Sequence, residues 1–576
     1  MNQAKLGALA VLVFFGAVGC GASSSAHGGP DFPSRSSLAE LASTPAAGEK
    51  GEARKTVAVD DWQPGDAAPN TDAEALAQGV ARSQGRGAKL DAELSCAARE
   101  IARFYAQYAT FPDQQLQAYM AGVCGATQAT FGVSVWSEPT SEVTTPSRQK
   151  EWHDQIAKQL GQWLPASSKQ VGAAELSDGK TSVFAATVGQ SDVEWESRSP
   201  VANDAGEVVL TGSLRSPAAF IFGLSDVGAN GQRDCYSDPR VALPSFRITC
   251  QLDAADSAAW VDVEALPPGR VLAHGIARVL IRRQGAALGF TAPTKNSAPE
   301  SVSTNAEFAQ RLLALVNERR AQAQLPPLKL ATRESETSAQ LASHYFAEAG
   351  DADRADLIAL GLMAGWDIQG STIRTGDFYS NQLSGSLDPR RWLGFMLEQP
   401  SARRVLLDPQ ARAIAIGPNV QPKARSIAAL VSTYQFYGSD DHQQDIERFV
   451  SRLNQRRQGL GLAAVKVVAS PEVTKAVKEV KTTHDPEGAL QTALQQVVAR
   501  SQHGVEGYYI EATDVDHVNL PEALLRPQVT LAISAAHHRY PQAAWGTLTL
   551  LVVVTESTTR ERTALAPAHP RKRTPL

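Results

Sequence analysis

Five cysteines, four methionines and a formal net charge of −5 in 576 residues leave several protein classes without support. A charge this small for the length offers no basic face for nucleic acid. After the first twenty residues no long apolar run recurs, so there is no second candidate membrane span. No two cysteines stand as C-x-x-C, which argues against a structural zinc site. The chain has no H-E-x-x-H, no G-x-S-x-G elbow, no P-loop and no dinucleotide fingerprint. What it does have is 43% hydrophobic residues, enough for real cores, in a length that predicts about three or four domains at ~150 residues each.

The N-terminus is the most telling stretch. Lys5 and the free amine supply positive charge, and Leu6 to Val18 is an apolar run too short to span a bilayer comfortably. Ala17, Val18 and Gly19 then lead into Cys20. This is the layout of an export signal over residues 1–19, not of a transmembrane helix. Its last four residues resemble a lipobox, where the cysteine receives diacylglycerol and becomes the new N-terminus. Ala17 departs from the leucine favoured at the first lipobox position. The resemblance implies lipidation at Cys20 and a chain anchored in the cell envelope, outside the cytoplasm. An ordinary signal peptide cut elsewhere, with Cys20 removed, is the alternative. Gly21 is not the aspartate that retains such proteins in the inner membrane, which favours the outer membrane. From there to Lys89 the chain is rich in Ala, Gly, Ser, Asp and Pro, and is expected to be a disordered tether over 20–89.

Order is expected from Leu90. Leu94, Ala97, Ala98, Ile101 and Tyr105 recur at helical spacing, Pro112 and Asp113 open a second helix, and Gln149 to Leu164 forms a third. A strand over Val183 to Val188 follows the turn Ser177-Asp178-Gly179, so 90–190 reads as an α+β domain. Short β-type runs separated by turn residues then fill 191–290, among them Val208-Val209-Leu210 and Phe246, Ile248, Cys250, Leu252. They suggest a β-sandwich module. The four remaining cysteines are even in number, as disulfides in an oxidising compartment require, and allow three connectivities. Pairing within each apparent domain favours Cys96–Cys124 and Cys235–Cys250 over free buried thiols.

The second half repeats itself. Arg311 to Leu330 reads RLLALVNERRAQAQLPPLKL, and Arg448 to Val467 reads RFVSRLNQRRQGLGLAAVKV. Without a gap, Arg311, Asn317, Arg319, Arg320, Leu325 and Lys329 match Arg448, Asn454, Arg456, Arg457, Leu462 and Lys466. Two homologous domains are expected, over 305–438 and 443–556, with a disordered tail at 557–576. The run LALVNERRAQAQLPPLKL resembles the opening helix and loop of the CAP superfamily, also called SCP domains, after cysteine-rich secretory, antigen 5 and pathogenesis-related proteins. Gln399-Pro400-Ser401-Ala402-Arg403 resembles that family's Ser-Pro-x-His-Arg segment, and Ala413 to Gly417 its Ile-Gly-Val-Gly strand. Leu90 to Ala102 resembles the family's second helix, which would make 90–190 a further diverged copy. The implied fold is α+β and multidomain: tandem CAP-like α-β-α sandwiches with an intervening β-sandwich.

Many members of that family carry two His and two Glu in a cleft, in some cases able to hold a metal. This chain departs there. Ala402 stands in the position of the family's histidine and has no lone pair. The nearest counterpart of the Gly-Glu-Asn motif, Gly370-Ser371-Thr372-Ile373, lacks the carboxylate, and His344 lies inside a helix expected at Thr337 to Glu348. His537-His538, expected in a loop, and the cluster Asp514, Asp516 and His517 would make a metal site only if the fold gathered them. No cofactor, metal or catalytic residue is therefore expected. The favoured reading is an anchored, non-enzymatic binding protein whose partner is a protein, glycan or lipid. The alternative is a hydrolase or metal-dependent enzyme acting on envelope polymers or peptides.

Overall fold

The computed structural model describes residues 9–11, 32–44 and 56–556, apart from 58, 60, 66–70, 85–86, 130, 166–168, 199, 271, 292–299, 348–351, 369–371, 439–440, 500–504, 513–514, 516–517, 519 and 541–542. The chain forms two compact bodies, one ending at Phe436 and the other beginning at Tyr437. It is α+β and multidomain.

One succession of elements occurs three times. In the central unit it runs helix Asn305–Gln322, strand Lys329–Leu330, helices Thr332–Ala347 and Ala352–Ala364, strand Ile373–Ser384, helices Pro389–Leu397 and Pro400–Leu406, then the hairpin Ala413–Gln421 and Ser426–Phe436. The C-terminal unit repeats it with helix Asp441–Gly459, strand Lys466–Val467, helices Pro471–Thr483 and Pro486–Val498, strand Val505–Ala512, a short 3-10 turn, and the hairpin Val529–His538 and Thr547–Glu556. The first unit does so with Thr71–Ser83, Lys89–Leu90, Ala92–Tyr108, Gln114–Val123, Phe131–Pro139, Pro146–Trp163, and the hairpin Gln170–Ser177 and Thr181–Gly189. In each sheet the two-residue strand lies parallel to the first hairpin strand, and the long strand pairs with the second. Leu9–Val11, inside the expected export signal, pairs antiparallel with Phe378–Ser380 at the edge of the central sheet.

Helices cover both faces of the sheet in each of these units. In the central unit Phe308, Leu312 and Val316 pack on Ile414, Ile416 and Val431. The helix Thr332–Ala347 takes the other face, where Gly417 permits close approach: a Cβ there would stand 2.3 Å from the Ser338 backbone. The same two-sided arrangement holds for Phe449 and Leu453 against Leu531 and Val552, with Val477 and Val480 behind Ala532 and Val553.

The repeated Asn-x-Arg-Arg signature acts at its first and last positions. Asn317 Oδ1 accepts from the Leu328 amide at 2.7 Å, and Asn454 Oδ1 from the Val465 amide at 2.9 Å. Arg320 is fully buried and donates to the carbonyls of Pro326 (2.7 Å), Leu406 (2.9 Å), Asp408 (3.0 Å) and Ala411 (3.4 Å). Arg457 does the same to Ala463 (2.7 Å), Leu524 (2.6 Å) and Arg526 (2.8 Å). Leu325 and Leu462 are both half-buried, each with its amide bonded to the arginine's own carbonyl.

Two sequence expectations need correction. The span 20–89 holds a helix at Arg35–Ser43, which buries Leu38, and the helix Thr71–Ser83, which buries Ala73, Ala77, Val80 and Ala81 against Trp152 and Val171. Alanine-rich faces bury little area per residue and so look like tether composition, yet they suit close helix packing. The first unit therefore starts at about Thr71, ahead of Leu90. Between the first and central units lies a two-sheet sandwich around Val208, Leu210, Ile248, Val261 and Ile281. Cys235 stands where the chain passes from one sheet to the other, and its disulfide to Cys250 pins that corner. The second disulfide, Cys96–Cys124, ties the helix Ala92–Tyr108 to the end of the helix Gln114–Val123. Loops of 28 and 15 residues are long enough for each to contribute roughly 3 kcal/mol.

Candidate binding site

The sandwich strand Ala258–Leu266 alternates. Ala259, Val261 and Val263 enter the sandwich core, so Trp260, Asp262 and Glu264 take the opposite face. A bulge beside Val263 and Glu264 shifts the pairing with the neighbouring strand. In an isolated sandwich this face would meet water. Here the helix Pro400–Leu406 of the central unit and the helix Gln114–Val123 of the first unit lie over the sheet. Gly122 makes the second contact possible, because a Cβ there would sit 2.4 Å from the Trp260 ring.

The three modules leave a cavity of about 120 Å³ between them. Its polar wall includes Gln114, Gln128, Asp262, Glu264, Asn381 and Gln399; Ala118, Ala121, Phe131 and Phe395 are among its apolar lining. Most of the surrounding charge is matched. Ser401 Oγ donates to Asp262 at 2.9 Å, and Arg278 Nε stands 3.7 Å from the other carboxyl oxygen. Arg278 lies over the Trp260 ring, 4.1 Å from its centroid, and donates to the Glu398 carbonyl at 2.5 Å. Arg403 donates to the carbonyls of Gly228 and Gly231, each at 2.9 Å, and pairs with Asp226 at 3.4 Å. Tyr379 donates to Gln399 at 2.5 Å and accepts from Asn381 at 3.2 Å. Glu264 is the exception. It is fully buried, and neither of its carboxyl oxygens has a hydrogen-bond partner among the described residues; nor does Gln128 Oε1.

Burial drives the acidic groups here toward their neutral forms. It raises Asp226 to about 7 against the pull of Arg403, and Glu398 to about 7 against that of Arg278. Glu264 is pushed well above the ordinary glutamate value, by burial first and then by neighbouring Asp262. A carboxyl whose pKa rises on folding takes up protons as it folds. Its contribution is complete below the ordinary carboxylate pKa and lost as pH rises through the folded value, here about 7. The body ending at Phe436 should therefore be less stable at about pH 8 than at about pH 5, by roughly 2 kcal/mol or more. Urea unfolding followed by tryptophan fluorescence at the two pH values checks this, and equal or greater stability at the higher pH contradicts it.

The residues singled out in the sequence fall elsewhere. Cys20, Gly370, Ser371, Asp514, Asp516 and His517 lie outside the described residues. Ala402 is fully buried in the core of the central unit, one position from Ser401, which does line the cavity. His344 is buried within its helix. His537 and His538 end a strand and do not sit in a loop; as successive strand residues they face opposite ways. His537 Nε2 lies 2.7 Å from Asp445, with Tyr437 stacked on the ring. His538 meets Thr549 at 2.9 Å and His484 at 3.3 Å. Among the described residues no group of three or more His, Cys, Asp or Glu is arranged to hold a metal.

No family model matches this chain, and no curated protein does. Several solved structures are similar in part, among them these two. One is an extracellular protein containing an SCP domain from Bacillus anthracis str. Ames, at 13% identity and a TM-score of 0.19, covering 42% of this chain and 86% of that one. The other is a cysteine-rich secretory protein from Staphylococcus aureus subsp. aureus Mu50, at 15% identity and a TM-score of 0.17, covering 43% and 89%.

Sequence reasoning passed over Asp262, Glu264 and Gln128. On an alternating strand, Asp262-Val263-Glu264 has the pattern of a solvated face. Nothing local indicates that two other modules cover it.

Proposed function

We propose that this chain is a membrane-anchored, extracytoplasmic binding protein built from three CAP-like units and a β-sandwich, and that it recognises a partner without transforming it. The observation that carries the reading is the junction cavity, walled by three modules and lined by acceptors without donors among the described residues. Ligand sites often form between domains around a few convergent polar groups, and this one is of a size for a small ligand. Shared element order, shared sheet order and the twin arginine anchors support descent of the units from one domain. The export-signal layout ending at Cys20 supports the anchor, and two disulfides suit an oxidising compartment. Ala402, which the resemblance sets in the position of the family's histidine, offers only a buried methyl.

Cys20→Ser should move the protein from the membrane fraction to the soluble one, or leave it unprocessed. Fractionation with lipid labelling tests this, and unchanged labelling would sink the anchor. The purified chain, incubated with cell-wall polymer and envelope peptides, should release no fragments. Turnover of either substrate would replace the binding reading with a hydrolase.

A further inference from the structure

We infer that the cavity at the three-module junction binds a small primary ammonium group, held by the Glu264 carboxylate. This rests on the binding reading above and names its ligand class. The argument starts from what the cavity lacks. Both Glu264 oxygens and Gln128 Oε1 are buried acceptors without donors among the described residues. Such groups are costly to leave unpaired, on the order of 1–3 kcal/mol each, so a ligand that offers donors suits them. An ammonium brings three, and a positive charge.

The charge pattern agrees. Asp262 has Ser401 and Arg278 at hand, and Asp226 has Arg403. Glu264 has no basic side chain in hydrogen-bond contact among the described residues, and Arg404 acts on it only from longer range. Burial and the neighbouring Asp262 favour the protonated form of this carboxyl. An entering ammonium would displace that proton and pair with the carboxylate, so net charge in the cavity stays constant. Size limits the ligand further. A cavity of about 120 Å³ is somewhat smaller than the ~150 Å³ engineered cavity that admits benzene, so only a few heavy atoms fit. Ala118, Ala121, Phe131 and Phe395 suit a short hydrocarbon tail. A divalent cation suits the site less well. Calcium takes six to eight oxygens, and only one carboxylate here is uncommitted.

The test is calorimetric titration of the full-length protein in detergent with methylammonium, ethylammonium and propylammonium chloride, against alcohols of matching size at equal ionic strength. One saturable site is expected for at least one ammonium and none for the alcohols. Affinity should rise about tenfold per pH unit while the empty protein keeps Glu264 protonated. Glu264→Gln should weaken binding at least about 100-fold, as removal of a buried charge partner does. If that variant fails to fold, Ala118→Leu fills the cavity from another wall and should abolish binding equally. Absence of saturable ammonium binding, binding that survives both substitutions, or saturation by calcium or zinc alone would overturn the inference. Such failure would remove the ligand class. Fractionation and the polymer assay do not depend on the cavity, so they judge the anchored binding protein separately.

Discussion

Arg320→Met should cost the central unit about 4 kcal/mol or more, and Arg457→Met should cost the C-terminal unit a similar amount. Methionine keeps most of the stem volume and deletes only the donors. Four carbonyls then lose the Arg320 guanidinium and three lose that of Arg457, all in places water reaches poorly. Each charged hydrogen bond contributes on the order of 1.5–3 kcal/mol, and the losses overlap, so the sum falls below their total. A domain stabilised by roughly 5–15 kcal/mol should be visibly loosened. Hydrogen exchange would show where: faster exchange in Asn305–Gln322 for the first variant and in Asp441–Gly459 for the second. Arg456→Met, at an exposed position, should change stability by no more than ~0.5 kcal/mol. Equal effects at Arg456 and Arg457 would mean that the shared anchor is not what the repeat preserves.

That contrast shows how far the sequence could be followed. Both arginines of the pair match between the copies, and alignment alone cannot tell the anchor from its neighbour. Burial does, because Arg457 is fully enclosed while Arg456 faces out. The two helix-loop-strand repeats, the sandwich and both disulfides were legible, since they rest on local periodicity, turn residues and cysteine parity. The helix Thr71–Ser83 was not: its buried face is mostly alanine, and hydropathy hardly separates that from tether. The strand ending at His537 and His538 was misjudged for a related reason, because two buried polar residues there gain their partners from distant helices. The junction cavity was the least legible feature. Glu264 sits on an ordinary alternating strand, and its burial is imposed by Gln114–Val123 and Pro400–Leu406 from other modules. Contacts between modules leave no periodic trace in either partner.

Arg403→Met tests whether those modules form one body because of a single side chain. Arg403 belongs to the central unit, yet it donates to Gly228 and Gly231 of the sandwich and pairs there with Asp226, besides bonding the Leu397 carbonyl within its own unit. Removing one partner of a buried charge pair typically costs 3–5 kcal/mol, and here that loss falls on the contact between sandwich and central unit. The loss has two parts with different pH dependence. The three carbonyls lose donors whatever the pH. Asp226 loses its cation only when ionised, and burial already holds its pKa at about 7 with Arg403 present. Without Arg403 that pKa rises further, so the variant's penalty should be larger at about pH 8.5 than at about pH 5, by roughly one to two kcal/mol. Asp226→Asn in the same background should remove the pH-dependent part and leave the rest, which a double-mutant cycle reads directly. A penalty that does not vary with pH would show that Asp226 does not change its ionisation between the two pH values, against the raised pKa that burial gives it. A penalty below about 1 kcal/mol at both pH values would mean that apolar contact, not this guanidinium, holds the sandwich against the central unit.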